Sequence, residues 1–246
     1  MREDQIESTR GDQPRFGIDA PTLVLGFAIG GPLLTALSFI GFLAQAQPLM
    51  WTMRNTGVVL CLEAILMTLS SLYGKRILLR RMVDSLALRG DEKALDVGCG
   101  RGMLLLETAG RLPRGLVTGL DLWSTRDQSG NAAEATRRNA ELAGMRDRVQ
   151  IDTGDMRQLP YADASFDVIV SSLAIHNLPT ETDREQAVRE IARVLKPGGQ
   201  VALLDFRHTA HYVQTLREAG FDTRRSQPLF LMFPWVWIVR GRKVRP

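Results

Sequence analysis

Residues 94–102, Ala-Leu-Asp-Val-Gly-Cys-Gly-Arg-Gly, constrain this chain more than any other stretch. An apolar run that stops at an acid and breaks into alternating glycines predicts a buried strand, a tight turn and a helix start. That construction lets a nucleotide-like ligand lie against bare backbone. The glycine spacing is G-x-G-x-G, not the G-x-G-x-x-G that sets amides and a helix N-terminus against a pyrophosphate. Asp96 stands two residues before the first glycine. A carboxylate there suits a ligand carrying a positive group better than one carrying phosphates.

Beyond residue 93, short apolar runs alternate with helical stretches, which predicts a parallel sheet with helices on both faces. Strands are expected at 93–97, 116–121, 149–153, 168–172 and 201–205, and helices at 103–111, 130–143, 181–195 and 211–220. Two last strands, one from 221 and one over 233–239, read as an antiparallel hairpin. Asp121 falls at the carboxyl end of the second strand and Asp155 in the turn after the third. Open α/β sheets bind ligands on that side, where a carboxylate can accept from both hydroxyls of a ribose.

The glycine turn resembles the first motif of the class I S-adenosylmethionine-dependent methyltransferases, of the type 11 or UbiE-like kind. Phe166-Asp167 leading into the fourth strand, and Leu195-Lys196-Pro197-Gly198-Gly199 ahead of the fifth, resemble later motifs of that family. The resemblance covers about residues 75–243 and implies a Rossmann-like, doubly wound seven-stranded α/β sheet with a C-terminal antiparallel hairpin. It also implies S-adenosyl-L-methionine as the cofactor. Asp96, Gly98, Cys99, Gly100 and Gly102 then hold its amino-acid end, and Asp121 with Leu122 the ribose. Asp155 meets the adenine amino group, Met156 covers the ring and Ser171 completes the set. Trp123 is a further aromatic placed to pack on the adenine.

Methyl transfer from a sulfonium is an in-line displacement in which the protein aligns the reactants and excludes water. An oxygen nucleophile often needs a general base. Ser171, His176 and Asn177 follow the fourth strand, and Asp205, Arg207 and His208 the fifth. His176 is the expected catalytic base because an imidazole titrates in the useful range; His208 and His211 are weaker candidates. Nucleic-acid acceptors are disfavoured: the turn after the fourth strand reads Ser171-Ser172-Leu173-Ala174, not the Asn/Asp-Pro-Pro-aromatic turn of base-amino methyltransferases. No cysteine follows Cys99 to serve as a cytosine-attacking nucleophile. No metal site is expected. Two cysteines, Cys61 and Cys99, make no disulfide framework and fit a reducing compartment.

Residues 22–44 contain no charged side chain and as a helix would be roughly 35 Å long, enough to cross a hydrocarbon core of about 30 Å. A second apolar run, 56–73, is interrupted only by Glu63 and would span about 27 Å. Pro48 and Asn55 punctuate the join. The chain thus divides into a polar, poorly ordered tail (1–20), a two-helix transmembrane hairpin (21–73), a basic amphipathic connecting helix (74–92) and the methyltransferase domain (93–246). A pair of buried helices in a soluble lid is the alternative to the hairpin. Thr56, Glu63 and Ser70 would form a polar stripe facing protein, with Glu63 kept neutral by burial. Gly26, Gly30, Gly31, Thr35 and Ser38 admit close helix approach, including that of a second copy in a homodimer.

Lys75, Arg76, Arg80, Arg81 and Arg89 follow the second run, whereas only Arg54 lies near the connecting loop. The positive-inside rule then puts both termini and the catalytic domain in the cytoplasm, at the cytoplasmic membrane. Ile77, Leu78, Leu79, Met82, Val83 and Leu86 interleave with these bases, giving a helix that lies on the membrane surface or against the domain. The expected function is methyl transfer to a small, lipophilic acceptor such as a quinone, isoprenoid or lipid. The alternatives are a non-catalytic cofactor-binding module of a membrane complex, and a methyltransferase of a soluble metabolite tethered for assembly.

Overall fold

A computed structural model describes residues 13–42, 47–124 and 130–245. Seven strands form one sheet: β1 (Lys93–Val97), β2 (Leu116–Asp121), β3 (Val149–Thr153), β4 (Phe166–Ser172), β5 (Leu195–Asp205), β6 (Phe221–Arg225) and β7 (Trp237–Lys243). Their order is β3-β2-β1-β4-β5-β7-β6. The first five are parallel, and β7 runs antiparallel to both β5 and β6. The order reverses between β1 and β4, so a crevice opens beyond their carboxyl ends.

Among the described residues, seven α-helices accompany the sheet: α1 (Pro21–Phe42), α2 (Gln47–Leu69), α3 (Lys75–Asp84), α4 (Met103–Ala109), α5 (Ala133–Leu142), α6 (Glu181–Val194) and α7 (Thr209–Glu218). Alternation along the strands sorts the core into two layers. Ala94, Val117, Val168 and Val170 face Leu79, Met82, Leu104 and Leu105 of α3 and α4. Leu95, Val97 and Ile169 face Val188, Ile191, Tyr212 and Leu216 of α6 and α7. Thr180 starts α6 by accepting from the Asp183 amide at 3.0 Å, which satisfies one of the donors a helix leaves open at its first turn.

The expected element boundaries shift in several places. The fifth strand begins at Leu195, because residues 196–199 bulge out between the Phe166–Leu195 and Val168–Gln200 pairs. Pro197 has no N–H to give the ladder there. The last strand starts at Trp237 rather than residue 233, leaving a long β6–β7 loop closed by a Leu229–Val236 bridge. α2 begins at Gln47 and carries Arg54 and Asn55 within it. The join between the first two helices falls at 43–46, outside the described residues.

α1 and α2 pack along a seam of small residues. A Cβ at Gly57 would run into the Thr35 hydroxyl and the Gly31 carbonyl, and one at Gly31 would lie 2.7 Å from the Cys61 sulfur. Gly26 and Gly30, by contrast, meet nothing within 4 Å. The seam therefore corrects the expected polar stripe: Gly57, Ala64, Met67 and Ser70 turn inward, Thr56 is exposed and Glu63 is only half-buried. Close approach is set by the smallest side chains, not by the most polar.

α2 passes through a π-helical turn, Ser70–Gly74, directly into α3. Leu78, Leu79, Met82, Val83 and Leu86 are all buried in the sheet's first layer. α3 thus lies against the domain, the second of the two placements its pattern allows. Residues 13–20, expected as a tail, lie along the domain instead: the Arg15 amide donates to Asn139 at 2.9 Å and the Asn139 amide group returns a bond to the Arg15 carbonyl at 3.0 Å. The rest of that tail, 1–12, is outside the described residues.

Candidate active site

The glycine turn rises from β1 at the switch point. The Gly98 and Cys99 amides donate to the Leu120 carbonyl at 2.8 and 3.2 Å, folding the turn back across β2. Gly98 has φ +72° and a Cβ there would run into Ala174; Gly102 has φ +85° and its Cβ would sit 2.9 Å from Thr136. Only glycine meets both demands, a left-handed backbone and no side chain. Cys99 fits because Gly119 opposite it is bare: a Cβ there would meet the sulfur at 2.9 Å. Burial pushes the Cys99 thiol well up, so it is an inert apolar filler.

Asp96 is 1% exposed, and neither of its oxygens has a well-aligned hydrogen-bond partner among the described residues. Burial, and then the neighbouring Asp121, raise its carboxyl to about 8, while Lys75 and the Leu105 amide pull the other way. Ser172 Oγ and Asn131 Oδ1 are likewise buried and unpartnered among the described residues. All three line the pocket that the glycine turn borders. An orphaned carboxylate, hydroxyl and carbonyl around one hollow call for a ligand rich in donors and positive charge. The ammonium of S-adenosylmethionine meets that need.

Asp121 is fixed by three donors. The Gly100 amide reaches one oxygen at 2.8 Å, while the Trp123 amide and the Asn131 side chain reach the other at 2.7 and 3.2 Å. α5 secures the turn from above: Thr136 donates to the Gly100 carbonyl at 2.7 Å and Asn139 to the Arg101 carbonyl at 2.8 Å. Thr136 and Asn139 carry a signal in the sequence, as polar residues three apart on the inner face of the amphipathic α5, whereas Asn131 lies in the loop ahead of that helix and carries none.

The other expected residues separate. Ser171 is spent on structure, its hydroxyl donating to the Val97 carbonyl at 2.7 Å. One position on, Ser172 points to the opposite face and into the pocket. Successive strand side chains face opposite ways, so of the two hydroxyls it is that of Ser172 that lines the pocket. Asp155 is clasped by its own neighbour Arg157, with contacts of 2.6 to 3.1 Å, and Arg157 also reaches Asp183 at 3.0 Å. Those bonds from Arg157 hold its carboxyl below the usual range. Met156 lies over the turn, its methyl 3.4 Å from where a Gly98 Cβ would be. Leu122 is exposed, and Trp123 is pinned by its indole N–H to Thr153 at 2.8 Å.

A second cavity, about 590 Å³, adjoins the first, sharing Asp19, Leu173 and Asn177 with it. The base of the helical pair supplies Leu23, Met67, Ser70 and Ser71, and the domain supplies His176, Phe206, Met232 and Val236. His176 Nδ1 stands 2.8 Å from Asp205 Oδ1, off the hydrogen-bonding axis. Asp205 is 2% exposed and is itself fixed by the Phe206 amide at 2.8 Å and the Tyr212 hydroxyl at 3.1 Å. The Phe206 ring meets the imidazole edge-on at 4.5 Å. Of the remaining candidates, Asn177 and Arg207 line this cavity. His208 and His211 do not; His211 pairs with Glu181 at 2.7 Å.

A family model described as a methyltransferase domain matches residues 95–203. The chain is 38% identical over 128 residues to the 27-O-demethylrifamycin SV methyltransferase of Amycolatopsis mediterranei, covering 51% of this chain and 43% of that one. It is 38% identical over 125 residues to the ubiquinone/menaquinone biosynthesis C-methyltransferase UbiE of Roseobacter denitrificans, covering 51% and 46%. It thus spans about half the length of the relatives it matches. Among solved structures the cyclase SpnF superposes with TM-score 0.59 at 20% identity, covering 70% of this chain and 82% of that one. That likeness speaks for the fold alone. Over residues 95–203 the chain is therefore similar to a methyltransferase domain.

Proposed function

We propose that the chain is a membrane-anchored methyltransferase whose acceptor is small and lipophilic, and that Asp96, Asp121, Asn131 and Ser172 bind the cofactor. The observation that carries this reading is the cavity of about 590 Å³ walled jointly by the helical pair and the domain, abutting the cofactor pocket. Among the described residues, two helices are long and apolar enough to cross a membrane, Pro21–Phe39 and a span within Pro48–Asp84, and they are only 17% and 33% buried. Leu25, Ile29, Leu33, Val58, Leu62 and Ile65 point outward, each more than half exposed. A hairpin apolar on its outer faces as well as in its seam fits hydrocarbon rather than water. The basic residues after α2 favour a cytoplasmic domain.

When bound, S-adenosylmethionine supplies an electrophilic methyl group on a sulfonium. Asp96 neutralises the ammonium end, and the bare glycine turn lets the ligand lie on backbone. His176, oriented by Asp205, takes a proton from the acceptor at the imidazole nitrogen remote from that carboxylate. Met67, Phe206, Met232 and Val236 exclude water from the acceptor.

The test is transfer of tritiated methyl from labelled cofactor in native membranes, followed by phase separation. Label in the organic phase is expected. Label in aqueous metabolites alone would favour a tethered enzyme of a soluble acceptor. Intact cofactor binding with label in neither phase would favour a binding module.

A further inference from the structure

We infer that the tip of the β6–β7 loop is a third membrane contact, a wedge seated in the lipid interface beside the hairpin; this rests on the membrane reading above. Residues 226–239 carry no charge and are flanked by Arg224 and Arg225 on one side and Arg240 on the other. The Leu229–Val236 bridge closes the loop, so its tip projects as a unit. Phe230 is 73% exposed, Trp235 50% and Leu231 42%. The Phe230 and Trp235 rings stack edge-to-face at 5.5 Å in the open, an arrangement that presents one continuous aromatic surface outward.

The occupant follows from where the loop is docked. The Ser70 hydroxyl donates to the Phe233 carbonyl at 3.4 Å, and a Cβ at Gly74 would run into the Leu231 carbonyl. Ser70 and Gly74 bound the π-helical turn where the apolar helix gives way to the basic α3. That is the level at which the hairpin leaves hydrocarbon. Leu72 and Tyr73 are exposed there as well, at 47% and 65%. The tip therefore extends the hairpin's outward apolar surface sideways at headgroup depth, where Trp and Tyr are favoured. Its inner face, through Met232 and Val236, walls the acceptor cavity. A seated loop thus sets that wall at the lipid boundary, so the acceptor loads from the bilayer.

Two full-length single-tryptophan proteins test this, one retaining Trp235 and one retaining Trp51, each in phosphatidylcholine nanodiscs with a doxyl group at acyl position 5 or 12. Unchanged far-ultraviolet circular dichroism and melting temperature certify each fold. Quenching of Trp235, stronger from position 5 than from 12, is the expected result. Quenched Trp51 with Trp235 open to aqueous iodide overturns the wedge and leaves the hairpin standing. Trp235 shielded from both quenchers also overturns it, in favour of a protein partner or a second copy. If neither tryptophan is quenched by lipid, the membrane reading falls too. Oxidative footprinting of the wild-type chain in nanodiscs gives a substitution-free answer: Phe230 and Trp235 are expected to be protected together with Leu62 and Ile65 of the outer hairpin face, and strong labelling of Phe230 and Trp235 beside protected Leu62 and Ile65 overturns the proposal.

Discussion

Lys75 donates to Asp19 across 2.7 Å at the rim of the pocket that contains the Asp96 carboxylate. The pair joins the segment ahead of α1 to the first turn of α3, so the base of the hairpin forms one wall of the cofactor site. Lys75 also draws the Asp96 carboxyl down against its burial. Lys75→Met should let that carboxyl rise further. The pH at which cofactor affinity reaches its plateau then moves upward, as read by calorimetric titration across pH; an unmoved profile contradicts the coupling.

Asp96 makes the cofactor-free protein sensitive to pH. Its folded value, about 8, lies above the value of an unfolded carboxyl. Between the two, the folded state holds the proton more tightly, so stability declines as pH rises through that window. Binding an ammonium requires the ionised form and therefore releases a proton below pH 8. Affinity should climb by up to about tenfold per pH unit as pH rises toward 8. In Asp96→Asn the slope disappears, cofactor binding is weak, and the melting temperature without cofactor no longer falls between pH 5 and 8.

Gly98→Ala places a methyl group against Ala174 at a φ of +72°. Backbone strain of this kind costs about 1–3 kcal/mol, and the clash displaces the turn that carries the site. Cofactor affinity should fall tenfold or more while far-ultraviolet circular dichroism stays unchanged. Wild-type affinity in this variant would count against the turn as the binding surface.

His176→Ala should lower turnover by about 10²–10⁴-fold, the usual range for a lost acid–base group, and leave cofactor affinity within about twofold. Tyr212→Phe removes the hydroxyl that donates to Asp205 at 3.1 Å. A stability loss of about 1 kcal/mol is expected, with a smaller drop in turnover than for His176→Ala. Equal turnover in His176→Ala and wild type would remove the base.

Adjacent serines provide an internal control. Ser171→Ala deletes the bond to the Val97 carbonyl and should cost about 1–2 kcal/mol of stability without changing cofactor affinity. Ser172→Ala removes a buried hydroxyl that has no partner among the described residues. It should leave stability unchanged and weaken cofactor binding. The reverse pattern would reassign the pocket wall.

Much of this was legible in the chain. Five parallel strands, the glycine turn and the positions of Asp96 and Asp121 follow from local rules. Alternation marks buried strands, and left-handed turns select glycine. Those rules are weakest where two residues differ by one step. Ser171 and Ser172 are alike in sequence, and only the register of β4 against β1 sends one to the Val97 carbonyl and the other to the pocket. Asp155 is a related case: its place in the turn after β3 follows from the strand pattern, whereas the grip of Arg157 is visible only in the fold.

The sequence by itself determined the sheet, the turn and the two long apolar helices, because each depends on residues within a few positions of one another. Tertiary structure decided which side chains meet across long loops. Lys75 finds Asp19 over 56 residues, Ser70 finds Phe233 over 163, and Asn139 finds Arg15 over 124. No local pattern encodes such pairings, since they arise only when packing brings the hairpin base, α3 and the β6–β7 loop to the same end of the sheet. The glycine turn identified the cofactor class, while the walls that would select an acceptor emerged only once those distant segments were folded together.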